Sequence, residues 1–131
     1  DGLTFEGRHF SVREATLHPR PVQQPNPPIR IGASGEKRMM PIAARYADVW
    51  HSFGPPEYLA AKSARLSEFA TAAGRDPGQI LRAASLSLDD LDEAERLIDE
   101  WEAGGFGYLV CGWPGAGRAQ VEAFAERMVR R

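Results

Sequence analysis

Cysteine occurs once in the 131 residues, at Cys111, so no internal disulfide can staple the chain. That residue lies inside YLVCGW and is expected as a small core residue of a strand. Neither sign of charge dominates. The net is −2, which leaves no broad basic field of the kind that nucleic acid or an acidic bilayer surface selects. No apolar run approaches the ~20 residues a membrane-crossing helix needs. Histidine is sparse: His9, His18 and His51 share no metal-ligand spacing, so no metal is expected. No Ser-His-Asp order and no paired-carboxylate spacing stands out, and no catalytic residue is assigned. Lysine is nearly absent, 14 of the 16 basic residues being arginine, which we read as coding bias. No charged-then-apolar leader is visible, so the cytoplasm is the expected compartment. The chain opens on Asp1 rather than Met, and a processed piece or a part of something longer is expected.

What is present divides at residue 28. LTFEGRHFSV alternates apolar and polar residues around Gly7, as a short hairpin does. LHPRPVQQPNPP is crowded with proline, which removes backbone donors and fixes φ. We read residues 1–28 as a hairpin and an extended proline-rich connector.

Residues 29–131 alternate strand and helix four times. PIRIGAS leads to EKRMMPIAARY, where Pro41 should kink the helix or delay its start. ADVWHSF leads to PPEYLAAKSARLSEFATAAG, with Leu59, Leu66, Phe69 and Ala73 as its apolar stripe. QILRAASLSL leads to a helix capped from Asp89, with Leu91, Ala94 and Trp101 inward. FGYLVCGW leads to RAQVEAFAERMVRR, with Val121, Phe124 and Met128 inward. The expected class is α/β, with a parallel sheet. Four βα units make either a small open sheet or half of an eight-stranded barrel, and periodicity does not separate these.

FEGRHFSV, HPRPVQQPNPPIRIGAS and AARYADVW resemble the luciferase-like monooxygenases, the flavin- or F420-dependent TIM-barrel oxidoreductases. GGFGYLVCGWP resembles that family's closing strand and VEAFAERMV its last helix. The resemblance implies strands five to eight of a (β/α)8 barrel, the C-terminal half. Two departures accompany it. The first four strands, which in the family carry most contacts to the flavin ring and substrate, are absent. The stretch between LRAASLSL and LDEAERL is short where relatives usually have a long insertion.

The resemblance also implies that the loop after PIRIG holds the phosphate of FMN or F420. Its residues here are Gly32, Ala33, Ser34, Gly35, Glu36 and Lys37. Small residues there let backbone N–H groups approach an anion, with Lys37 or Arg38 adding charge. Glu36 suits a phosphate only if it turns away. Without the resemblance, the same run reads as a tight turn and an N-cap. Trp50 joins the candidate cofactor-binding set. Trp50 and His51 point to opposite faces of one strand end, so one of them should line the barrel interior. The residues alone favour Trp50 as core and His51 as a satisfied strand-end histidine. GWPGAG reads as a simple turn, and the run from Asp89 to Glu95 as a solvated helix start.

Two functions follow. One is the C-terminal portion of an oxidoreductase using reduced FMN or F420. The other is a non-catalytic half-barrel stabilised by self-association. The strands carry Ile29, Ile31, Val49, Trp50, Phe53, Leu81, Leu86, Tyr108, Leu109 and Val110, and many of these are expected to face a missing half. Leaving five of them wet forfeits roughly 8–15 kcal/mol. The expected partners are therefore a flavin-type cofactor and either the missing N-terminal half or a second copy in a homodimer.

Overall fold

A computed structural model of the chain describes residues 2–129. Leu3–Glu6 (β1) and Ser11–Ala15 (β2) pair antiparallel, and Gly7 N–H closes the turn on the Phe10 carbonyl at 3.0 Å. The register slips between Leu3 and Phe5, opposite Glu14 at φ 49°, which marks a bulge. From Thr16 to Pro28 the chain is exposed and without regular structure, as its prolines require.

Four strands follow, each leading into a helix. Arg30–Gly32 (β3) precedes Met39–Tyr46 (α1), and Val49–His51 (β4) precedes Pro56–Ala72 (α2). Leu81–Leu86 (β5) precedes Leu91–Ala103 (α3), and Tyr108–Cys111 (β6) precedes Arg118–Val129 (α4). The sheet order is β3-β4-β5-β6 and every pairing is parallel. This is the expected α/β arrangement of half a barrel, and the barrel is not closed.

Local chemistry sets the helix boundaries. Pro41 occupies the first turn of α1, where its missing N–H costs nothing, so the helix begins at Met39 and Glu36–Arg38 remain a turn. Pro56 opens α2 in the same way, and Gly74 at φ 74° follows its end. Asp90 caps α3, accepting from Asp92 N–H at 3.0 Å and Glu93 N–H at 3.1 Å. The cap is thus one residue later than expected.

All the helices cover one side of the sheet. Trp50 and Ala84 share a core with Met40 of α1, Leu59 and Leu66 of α2, and Trp101 of α3. Leu86 and Leu88 share a second with Leu91 and Ala94, against which Val121 and Phe124 of α4 pack. Between α1, α2 and the sheet, Ala43, Ala44, Ala47, Ala70 and Ala84 are completely buried beside Met40, Trp50, Leu59 and Leu66. Ala70, not Ala73, completes the stripe of α2, because Ala73 is exposed beyond the helix end.

Strand alternation assigns the two faces. Trp50, Leu86 and Leu109 join the helix-side cores. Of the ten large strand residues, these three therefore do not face a missing half, and Trp50 is the core residue that the residues alone favoured. In register rows on the other side stand Arg30, Val49 and Leu81, then Gly32, His51, Ala83 and Tyr108. Leu81 and Tyr108 are 42% and 43% exposed there. Cys111, expected in the core, is exposed, since it ends the edge strand β6.

Candidate functional site

The loops that leave the C-terminal ends of β3 to β6 lie at one end of the sheet. The first is held at both ends. Ala33 N–H donates to the His51 carbonyl at 3.0 Å, and Met40 N–H donates to the Gly35 carbonyl at 3.0 Å. From beneath, the Trp50 indole N–H donates to the Ala33 carbonyl at 2.7 Å. Between these anchors, the backbone N–H groups of Ser34, Gly35, Glu36, Lys37 and Arg38 donate to no acceptor among the described residues.

Glu36 does turn away. Its carboxylate pairs with Lys62 at 2.5 Å and Arg65 at 3.4 Å on α2. The hydrogen bond from Lys62, then Arg65, holds its pKa below the usual carboxylate value. Lys37 and Arg38 are exposed and form no ion pair among the described residues. The local balance is therefore two free cations and five free N–H donors with the acid neutralised, a donor set that suits a phosphate. A Cβ added at Gly35 would meet nothing within 4 Å, so the chain's own packing does not demand glycine there. The space it leaves opens outward.

Trp50 sits differently from the loop residues. It is fully buried on the helix side and has no surface with which to touch a ligand. This corrects its place among the cofactor contacts: it supports Ala33 from below. His51 is the member of the pair that takes the inner face. Its Nε2 lies 3.1 Å from Ser85 Oγ, and its ring meets Phe53 edge-on with centroids 4.8 Å apart. Partial burial, reinforced by the charge of Arg30, pushes its pKa below 6.5. Arg30 itself stacks on the Tyr108 ring, 4.5 Å from its centroid.

Sequence reasoning did not single out Arg30 or Ser85, and it named Tyr108 only among the large strand residues. The signal available was phase: each stands an even number of residues from an inner-face position on its strand. Asp89 was also misread. Its carboxylate accepts from Gly115 N–H at 2.9 Å and from Ser87 Oγ at 2.8 Å, tying the loop after β5 to GWPGAG after β6. The Gly115 N–H, then Ser87, keeps its pKa below 3.8. The side-chain amide of Gln120 reinforces the tie at the Leu88 carbonyl, at 3.0 Å.

Residues 1–127 match the family model described as luciferase-like monooxygenase. An F420-dependent secondary alcohol dehydrogenase, solved with an F420–acetone adduct, superposes on 95% of this chain with a TM-score of 0.80 and 16% identity. An F420-dependent tetrahydromethanopterin reductase from Methanopyrus kandleri covers 70% of the chain, with a TM-score of 0.56 and 25% identity. A riboflavin lyase, solved with modified FMN and riboflavin, covers 78%, with a TM-score of 0.55 and 20% identity. The chain spans 54%, 27% and 23% of these three proteins respectively.

Proposed function

The chain belongs to the luciferase-like monooxygenase family, and from that membership we propose that it forms the C-terminal half of a barrel oxidoreductase working with FMN or F420. When bound, such a cofactor supplies the redox chemistry. The part of this chain is to hold the cofactor's phosphate. Ser34 to Arg38 offer their backbone N–H groups, Ser34 adds its hydroxyl, and Lys37 and Arg38 add charge. Gly32, Ala33 and Gly35 keep the approach open, while Trp50 fixes the Ala33 carbonyl so that the loop is set before the anion arrives.

The observation that carries this reading is the run of five N–H groups without acceptors among the described residues, beside an acid already paired with α2. His51 and Ser85 extend the same face toward the barrel interior. No helix among the described residues is long and apolar enough to cross a membrane, and they hold no cluster of three metal-ligating side chains.

The test uses FMN and riboflavin on the 131-residue chain, since the two differ by the phosphate alone. FMN should shift the amide resonances of Ser34 to Arg38 and riboflavin should not. Gly35→Val should abolish the shifts and leave the melting temperature where it was, because a side chain there meets only open space. Equal responses to FMN and riboflavin, or an unaltered response in Gly35→Val, would refute the phosphate loop. Completing the barrel needs a further half, either an N-terminal one or a second copy in a homodimer. The charge on the inner face bears on that choice.

A further inference from the structure

Arg30 stands on the inner face, two residues before Gly32 on the same strand. Its guanidinium rests on Tyr108 and makes no ion pair among the described residues. The inner-face rows Arg30–Val49–Leu81 and Gly32–His51–Ala83–Tyr108 contain no Asp or Glu. Asp48 is out of phase with Val49, and it accepts from Ile29 N–H at 2.7 Å and pairs with Arg75 at 3.9 Å. Arg30 thus lies against Tyr108 and its charge reaches His51, with no carboxylate in either row. After burial, the positive charge of Arg30 is the second cause that disfavours the protonated form of His51.

The interior of a closed barrel is packed with side chains. A cation placed there needs a carboxylate or another strong acceptor, because a buried unpaired charge is costly. Closure by a second copy about the barrel axis would set Arg30 against its own equivalent at the same height. That is like charge on like charge, with no acid on either face.

We propose that the inner face docks a distinct half-barrel of this family, one whose own inner face carries a carboxylate opposite Arg30, and not a second copy of this chain. The proposal rests on the reading of the chain as half a barrel.

A charge swap tests it, with the chain itself as the acidic probe. Sedimentation velocity at micromolar concentration would compare wild type, Arg30→Glu, their equimolar mixture and Arg30→Gln, with circular dichroism to confirm folding. The mixture should associate about tenfold more tightly than either component alone, and the gain should shrink as salt is added. Arg30→Gln should self-associate more than wild type. Wild type as the tightest self-associating species would overturn the acidic partner while leaving the half-barrel reading intact. Folded monomers in every arm would overturn both. If Arg30→Glu does not fold, Arg30→Gln decides: association no tighter than wild type overturns the proposal.

Discussion

Trp50 and Trp101 offer a matched pair of perturbations. Both lie against Phe106, with ring centroids 6.3 Å and 4.9 Å away. Both are buried, at 0% and 3% exposure. They differ in one bond. The Trp50 indole N–H donates to the Ala33 carbonyl at 2.7 Å, whereas the Trp101 Nε1 is buried without a partner among the described residues. Trp→Phe removes the same atoms at both sites, so the packing loss is of similar kind. At Trp50 it also strands a buried carbonyl, which costs about 1–3 kcal/mol. At Trp101 it removes a buried donor that was already unpaired, which relieves a penalty of the same kind. Trp50→Phe should therefore be less stable than Trp101→Phe by about 2 kcal/mol or more. With a urea slope of about 1–3 kcal/mol/M, the two midpoints should differ by roughly 1 M. Far-UV circular dichroism is the readout, since the substitutions alter fluorescence directly. Midpoints that coincide, or a larger loss at Trp101, would refute the assignment of Trp50 as the support of the loop.

His51 should titrate by NMR with a midpoint below 6.5, because burial and Arg30 disfavour its charged form. The unfolded chain then binds that proton more readily, so stability falls as the pH drops from 6.5 through the folded-state value. His51→Asn should flatten that limb, and a midpoint above 6.5 would count against the geometry. Asp89 gives an acid limb instead: its contribution is complete above 3.8 and disappears as the pH falls through its lower folded-state value. Asp89→Ala should remove that limb and speed amide exchange at Gly115, and unchanged exchange there would show that the tie between the two loops is not maintained in solution.

Elements built from local pattern were legible in the sequence. Leu59 and Leu66 on α2, and Leu91, Ala94 and Trp101 on α3, recur at helical spacing, and the structure buries all of them. Choices between chemically equal neighbours were not legible. Asp89 and Asp90 cap a helix equally well, and the difference lies in the bond that Asp89 accepts from Gly115 N–H, 26 positions along the chain. Alternation put Trp50 and His51 on opposite faces, but which face the helices cover is a tertiary fact. The larger apolar ring went to the covered side, leaving the imidazole to the inner one. Nothing local marked Arg30, whose aromatic partner Tyr108 comes three strands away. The small-residue loop was located by resemblance and composition together. Its free N–H groups and the diversion of Glu36 to α2 depend on where helices fall in space.

Ala43 and Ala44 of α1 and Ala70 of α2 are completely buried, so a larger side chain at any of them has no space to enter without moving the helix. The segment from Ser34 to Arg38 is the lead-in to α1, so its height above the strand ends is metered by methyl groups elsewhere in the chain. One added methylene at Ala43 or Ala44 should then shift α1 and with it the loop that leads into the helix. Transplanting this loop between relatives to alter ligand preference would accordingly carry its geometry across only where the alanine floor travels with it.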